Sequence, residues 1–94
     1  MIDKAESRAI RLKIHEVLLN VWDPIGIKDE PNAQDEYDGY IGEVYGLLTR
    51  GASDAEIHDR LKYIMTERMG LEGGAEKARA GIRETVRALR KIQL

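Results

Sequence analysis

The feature that most constrains this chain is an apolar periodicity of three and four residues that is interrupted, never replaced, by helix breakers. Ile10, Ile14, Val17, Leu18 and Val21 lie on one face of a helix expected from about Asp3 to Trp22. Pro24 ends it, because its ring pushes the preceding residue out of the helical region. Tyr37, Tyr40, Ile41, Val44, Tyr45, Leu47 and Leu48 mark a second helix, expected over 35–50, with Gly51 as its left-handed stop. Ser53-Asp54-Ala55-Glu56 is a capping box, in which serine and glutamate each satisfy a backbone group at the helix start. The third helix, 54–69, then buries Ile57, Leu61, Ile64, Met65 and Met69 and stops at Gly70. A fourth follows the Gly73-Gly74 hinge over 75–92, burying Ala75, Ala78, Ile82, Val86 and Leu89. No strand alternation, internal repeat or low-complexity tract competes with this reading. The expectation is an all-α single domain over 1–94, a compact and mostly antiparallel four-helix bundle with a loop at 23–34.

Two details complicate a simple bundle. Ala5, Leu12 and Leu19 make a second, narrower stripe on the first helix, which suggests burial on more than one side, by the other helices or by a second copy in a homodimer. Gly39, Gly42 and Gly46 share the face of the second helix opposite its apolar one. Each costs about 1 kcal/mol relative to alanine in a helix. They either allow close backbone approach or are tolerated as exposed positions.

Composition narrows the function classes. The chain has no cysteine, which excludes disulfides, thiolate metal sites and cysteine catalysis. A charged start and the lack of any run of roughly 20 apolar residues point to a soluble, cytoplasmic protein without a signal peptide. The formal net charge of −2 conceals an asymmetry: residues 22–59 carry −8, whereas 75–94 carry +4. Such opposed segments either complement each other within the fold or form two surfaces for different partners.

Chemistry-bearing patterns are sparse. The serines are Ser7 and Ser53, the latter explained by its cap, and no phosphate-binding glycine loop or nucleophile elbow is present. His15 and His58 each lack a second histidine at ligand spacing. Aligning Gly39 with the glycine of a calcium-binding EF-hand loop puts Tyr45 where the bidentate glutamate belongs, so that match fails. No catalytic residue, cofactor or metal site is assigned, and an enzyme is not expected.

Two segments remain as interaction candidates. Trp22, Asp23, Asp35, Glu36, Tyr37, Asp38 and Tyr40 combine negative charge with aromatic rings around two prolines, a composition suited to docking a basic partner protein. They also admit a structural account, with Trp22 covering the end of the core, its indole N–H bonded to a carboxylate or carbonyl, and acidic residues favouring a helix start. Arg79, Arg83, Arg87 and Arg90 form a stripe on the fourth helix that would suit nucleic-acid phosphates. The acidic pI of about 5.7 and the lack of a helix-turn-helix pairing weigh against that use. The stripe could instead neutralise the acidic loop internally.

The pairing of Trp22-Asp23-Pro24-Ile25-Gly26 with Asp35-Glu36-Tyr37-Asp38-Gly39-Tyr40, followed by Met69-Gly70-Leu71, resembles a group of small bacterial helical proteins with a WDPIG-like turn before a DEYD-like helix start. The resemblance covers residues 10–71 and implies a bacterial, cytoplasmic, helical protein, without supplying an activity. It directs attention to Trp22, Asp23, Asp35, Glu36, Tyr37, Asp38 and Tyr40 as one unit. The leading expectation is a non-catalytic protein-interaction module, with an immunity- or antitoxin-like role as one version by analogy of fold alone. The alternatives are a small metal- or ligand-responsive regulator and a nucleic-acid accessory protein.

Overall fold

The computed structural model describes residues 2–71 and 76–92, without the side chains of 76–78. It is a four-helix bundle: α1 (Lys4–Val17), α2 (Ile41–Thr49), α3 (Asp54–Tyr63) and α4 (Glu76–Arg90). No strand occurs among the described residues. No described helix is long and apolar enough to cross a membrane. The radius of gyration, 12.8 Å, is close to the roughly 12 Å expected of a folded chain this long.

Direction follows from the contacts at helix ends. His15, late in α1, meets Asp38 just before α2. Arg68, beyond the end of α3, pairs with Glu43 in the first turn of α2 at 2.7 Å. Arg90, ending α4, bonds Asp54 at the start of α3 and the Ala52 carbonyl before it. Consecutive helices therefore run antiparallel. One core joins Ile10, Ile14 and Leu18 with Val44, Leu47 and Leu48 of α2, Ile57 and Leu61 of α3, and Ile82, Val86 and Leu89 of α4.

The ends of these helices are where local chemistry is most legible. Asp3 caps α1 by accepting the Glu6 N–H at 2.8 Å. Ser53 and Glu56 form the expected capping box on α3. At the end of α2, Gly51 (φ +75°) lets the Ala52 N–H reach the Leu47 carbonyl while its own N–H reaches Leu48. This is a Schellman closure, with Ala52 turned into the core.

Helices α1 and α3 each end in a turn of π-helix, at Leu18–Trp22 and Ile64–Arg68. The wider turn adds a residue to the helical period and rotates everything after it. That rotation corrects the expected face of the first helix. Val21 turns outward, 41% exposed, while Leu19 and Trp22 turn inward, at 5% and 6%. Leu19 is therefore a core residue, and of the stripe Ala5, Leu12 and Leu19 only the first two lie on the surface, with Leu12 58% exposed.

The second helix starts later than its periodicity predicts. Residues 35–40 are not α-helical but a run of tight turns. Bonds pass from Ala33 to Glu30, Glu36 to Ala33, Asp38 to Asp35 and Tyr40 to Tyr37, each spanning three residues. Asp and Gly are weak helix formers that leave the backbone free to choose, and the burial of Tyr37 makes the choice. In the fourth helix Ile82, Val86 and Leu89 are buried as expected, together with the unforeseen Thr85. Ala75 and the side chain of Ala78 lie outside the described residues.

Candidate functional site

The acidic, aromatic unit divides into a buried clasp and an exposed rim. Asp23 closes the π-turn in a left-handed conformation (φ 31°), a region that aspartate tolerates better than most residues. That backbone setting lets its carboxylate accept three hydrogen bonds. The Ile27 N–H donates to Oδ1 at 2.7 Å, the Lys28 N–H to Oδ2 at 3.2 Å, and the Tyr37 hydroxyl to Oδ1 at 2.8 Å. The Tyr37 oxygen in turn accepts the Ile25 N–H at 3.1 Å. One side chain from the end of α1 thus fixes both the start of the loop and the turn before α2.

Tyr37 is 2% exposed. Burial pushes its phenol pKa far up; the Ile25 N–H opposes that shift, and the Asp23 carboxylate adds to it. The ring packs against Trp22, with centroids 5.5 Å apart, and Tyr40 meets the indole edge-on at 6.2 Å. The expected partner for the indole N–H is not found. Trp22 Nε1 is buried without a hydrogen-bond acceptor, because Asp23 points back into its own loop. Trp22, Asp23 and Tyr37 are thus committed to holding the fold together.

The rim is different. Asp35, Glu36 and Asp38 are exposed, as are Asp29 and Glu30 in the preceding loop. Asp38 Oδ1 is 2.8 Å from His15 Nδ1. Among the described residues no cation pairs with Asp29, Glu30, Asp35 or Glu36. Gln34, which sequence reasoning passed over, holds the backbone beneath them: its amide donates to the Lys28 and Glu30 carbonyls at 3.1 and 2.8 Å. The only sequence signal for that role is a glutamine in a loop of acids and prolines, which is not specific.

The arginine stripe is placed elsewhere. Arg87 bonds Glu84 at 2.8 Å within α4, and Arg90 bonds Asp54 and the Ala52 carbonyl. Neither carries the internal neutralisation of the acidic loop that the charge pattern allows. Arg79 and Arg83 are exposed and engaged in further interactions. His58 lines a groove between α3 and α4 together with Arg83 and Arg87.

The glycine face of α2 is open. Gly39 lies in the turn before α2 and so outside that face; an added Cβ would meet nothing within 4 Å there or at Gly42 or Gly46, so no neighbouring helix uses them for close approach. Among the described residues no group of three His, Asp or Glu side chains stands close enough to hold a metal ion. No known family, curated protein or solved structure matches the chain.

Proposed function

We propose that the protein is a non-catalytic interaction module that engages a basic partner protein through its acidic rim. The observation that carries this reading is the contrast between Asp29, Glu30, Asp35 and Glu36, exposed and without a cation paired to them among the described residues, and the backbone beneath them, which Asp23, Tyr37 and Gln34 hold in place. A pre-ordered loop loses little conformational freedom on binding, so its charges can contribute to encounter rate and selectivity. Asp38 and Tyr40 flank this surface. Trp22, Asp23 and Tyr37 act on it from below, by holding its shape. The resemblance of the Trp22–Gly26 and Asp35–Tyr40 segments to small bacterial helical proteins is in keeping with this reading, and inhibition of a basic toxin or enzyme is one version of the role.

The test is capture of a partner at low and high salt by the wild type and by a variant with Asp29→Asn, Glu30→Gln, Asp35→Asn and Glu36→Gln. All four side chains are exposed, so the variant should melt like the wild type. The reading expects a salt-sensitive partner held by the wild type and lost by the variant. Equal capture by both would refute it. A nucleic-acid role for Arg79, Arg83, Arg87 and Arg90 has less support, since two of the four already hold carboxylates of the chain itself.

A further inference from the structure

Among the described residues, the large apolar side chains left exposed are Leu12, Val21, Ile25 and Tyr63. Val21, 41% exposed, stands in a groove of about 380 Å³ between the second half of α1 and the end of α4. Val17, Ala88 and Ile92 complete its apolar floor. Val17 and Ile92 also pack on the core, which holds that floor in place. Leu12, one helical turn before Glu16 and 58% exposed, continues the apolar surface along α1. The π-turn at the end of α1 creates this face, because the rotation that takes Leu19 and Trp22 inward leaves Val21 outside.

Three charges stand around the floor: Lys13 and Glu16 from α1, and Lys91 just beyond α4. All three are exposed, and none is ion-paired among the described residues. Even Lys13 and Glu16, one turn apart on the same helix, do not pair with each other. A strongly basic partner is repelled by Lys13 and Lys91, and an acidic one by Glu16. A purely apolar partner strips water from all three without replacing it. A second copy of the same surface supplies both signs, so that Glu16 of each copy can meet lysines of the other. Lysine stems suit this exchange: laid over Val17 and Val21 of the other copy, they cover its floor while the ammonium group reaches Glu16.

We propose that the α1–α4 groove is a self-recognition face through which two copies of this chain form a two-fold dimer. The same patch serves both copies, so the contact closes and grows no further. Asp29, Glu30, Asp35 and Glu36 do not line the groove. The dimer therefore displays two acidic rims, and a partner with two basic sites is held by both at raised avidity. Formation of the dimer does not depend on the rim binding anything.

The experiment is sedimentation equilibrium of the whole chain at concentrations up to roughly 1 mM, where even a weak dimer is populated. With rising concentration the wild type should go from its monomer mass of 10.7 kDa to twice that and no higher. Glu16→Lys leaves a groove ringed by positive charge alone, and Lys13→Glu/Lys91→Glu one ringed by negative charge alone. Each should be monomeric by itself, because like charges then face each other across the contact. Mixed in equal amounts, they should form a 1:1 dimer. Val21→Gln, which makes the floor polar, should weaken the wild-type dimer at least about tenfold. A wild type that stays monomeric throughout overturns the proposal. So does a mixture that fails to associate, or a Val21→Gln protein that dimerises like the wild type. If the wild type stays monomeric while Val21→Gln abolishes capture of another protein, the groove serves that protein and the proposal falls.

Circular dichroism checks that each variant is folded, as their exposed positions lead one to expect. Should either charge variant unfold, Glu16→Gln or Lys13→Gln/Lys91→Gln takes its place and must weaken the dimer at least about tenfold. The variant neutralised at Asp29, Glu30, Asp35 and Glu36 keeps a native groove and should dimerise like the wild type. A failure to do so would move the contact to the rim and overturn the proposal. Dimerisation without capture of any basic partner sinks the functional reading alone. Capture by a wild type that never dimerises sinks the dimer alone.

Discussion

Replacing Asp23 by alanine removes the acceptor on which three segments converge, and its cost can be worked out bond by bond. The carboxylate receives N–H groups from Ile27 and Lys28 and the hydroxyl of Tyr37. A hydrogen bond to a charged acceptor contributes about 1.5–3 kcal/mol, and a buried donor left unpaired costs about 1–3 kcal/mol. Lys28 is exposed and water can replace its acceptor, so its bond adds little. The Tyr37 hydroxyl, on a residue 2% exposed, has no such substitute. Alanine in the left-handed conformation adds roughly 1 kcal/mol. With about 1.5–3 kcal/mol for the Ile27 bond and about 1–3 kcal/mol for the Tyr37 hydroxyl, the sum is about 3.5–7 kcal/mol, against a total of roughly 5–14 kcal/mol for a chain of this length. Tyr37→Phe deletes one hydroxyl and leaves the part-buried Ile25 N–H without its acceptor, at about 1–2 kcal/mol. Because the two residues share a bond, the double variant should be less destabilised than the sum of the singles, with a coupling of about 1–2 kcal/mol. Urea denaturation of wild type, Asp23→Ala, Tyr37→Phe and the double variant measures all four corners. A loss below about 1 kcal/mol for Asp23→Ala, or additivity within about 0.3 kcal/mol, would show that the clasp does not hold the loop as argued.

Gly42→Ala and Gly46→Ala should each stabilise α2 by up to about 1 kcal/mol, because the added methyl meets nothing. A fall in melting temperature for either would mean that the glycine face is needed close against another molecule. The raised pKa of Tyr37 sets an alkaline limit on stability: above pH 10, the ordinary tyrosine value, the unfolded chain releases a proton that the folded chain retains. Stability contributed below that pH is therefore lost as pH rises, by up to about 1.4 kcal/mol per pH unit. Tyr37→Phe should lack this component in a comparison of urea midpoints from pH 9 upward, and an unchanged slope would rule out the assignment. Thr85→Val should lie within about 1 kcal/mol of the wild type, since the hydroxyl only returns to its own helix at the Gly81 carbonyl, and chemical denaturation would expose any larger role.

What could be read from the residues alone followed from effects that act over one or two helical turns. Asp3, Ser53 and Glu56 announce helix starts because a short polar side chain reaches free N–H groups only there. Gly51 and Gly70 announce stops because they enter the left-handed region without a side-chain clash. Ile57, Leu61, Ile64 and Met65, like Ile82, Val86 and Leu89, repeat at the helical period and are buried accordingly. These signals are local, so they survive in the finished fold, and the all-α bundle was legible from them.

Within the candidate site, the division of labour was not legible. Trp22, Asp23, Tyr37 and Tyr40 come together, yet nothing in their spacing says that Asp23 turns inward to Tyr37 while Asp35 and Glu36 stay at the surface. That split depends on a π-turn at the end of α1, which rotates Leu19 and Trp22 into the core and Val21 out of it. It depends equally on the burial of Tyr37, which holds residues 35–40 in successive turns where periodicity favours a helix. The sequence by itself determined the helices and the punctuation between them, because capping and periodicity are settled within a few residues. Only the tertiary structure decided which acids hold the loop and which remain on its surface, because that choice is made by contacts between α1 and the segment before α2, which no local pattern encodes.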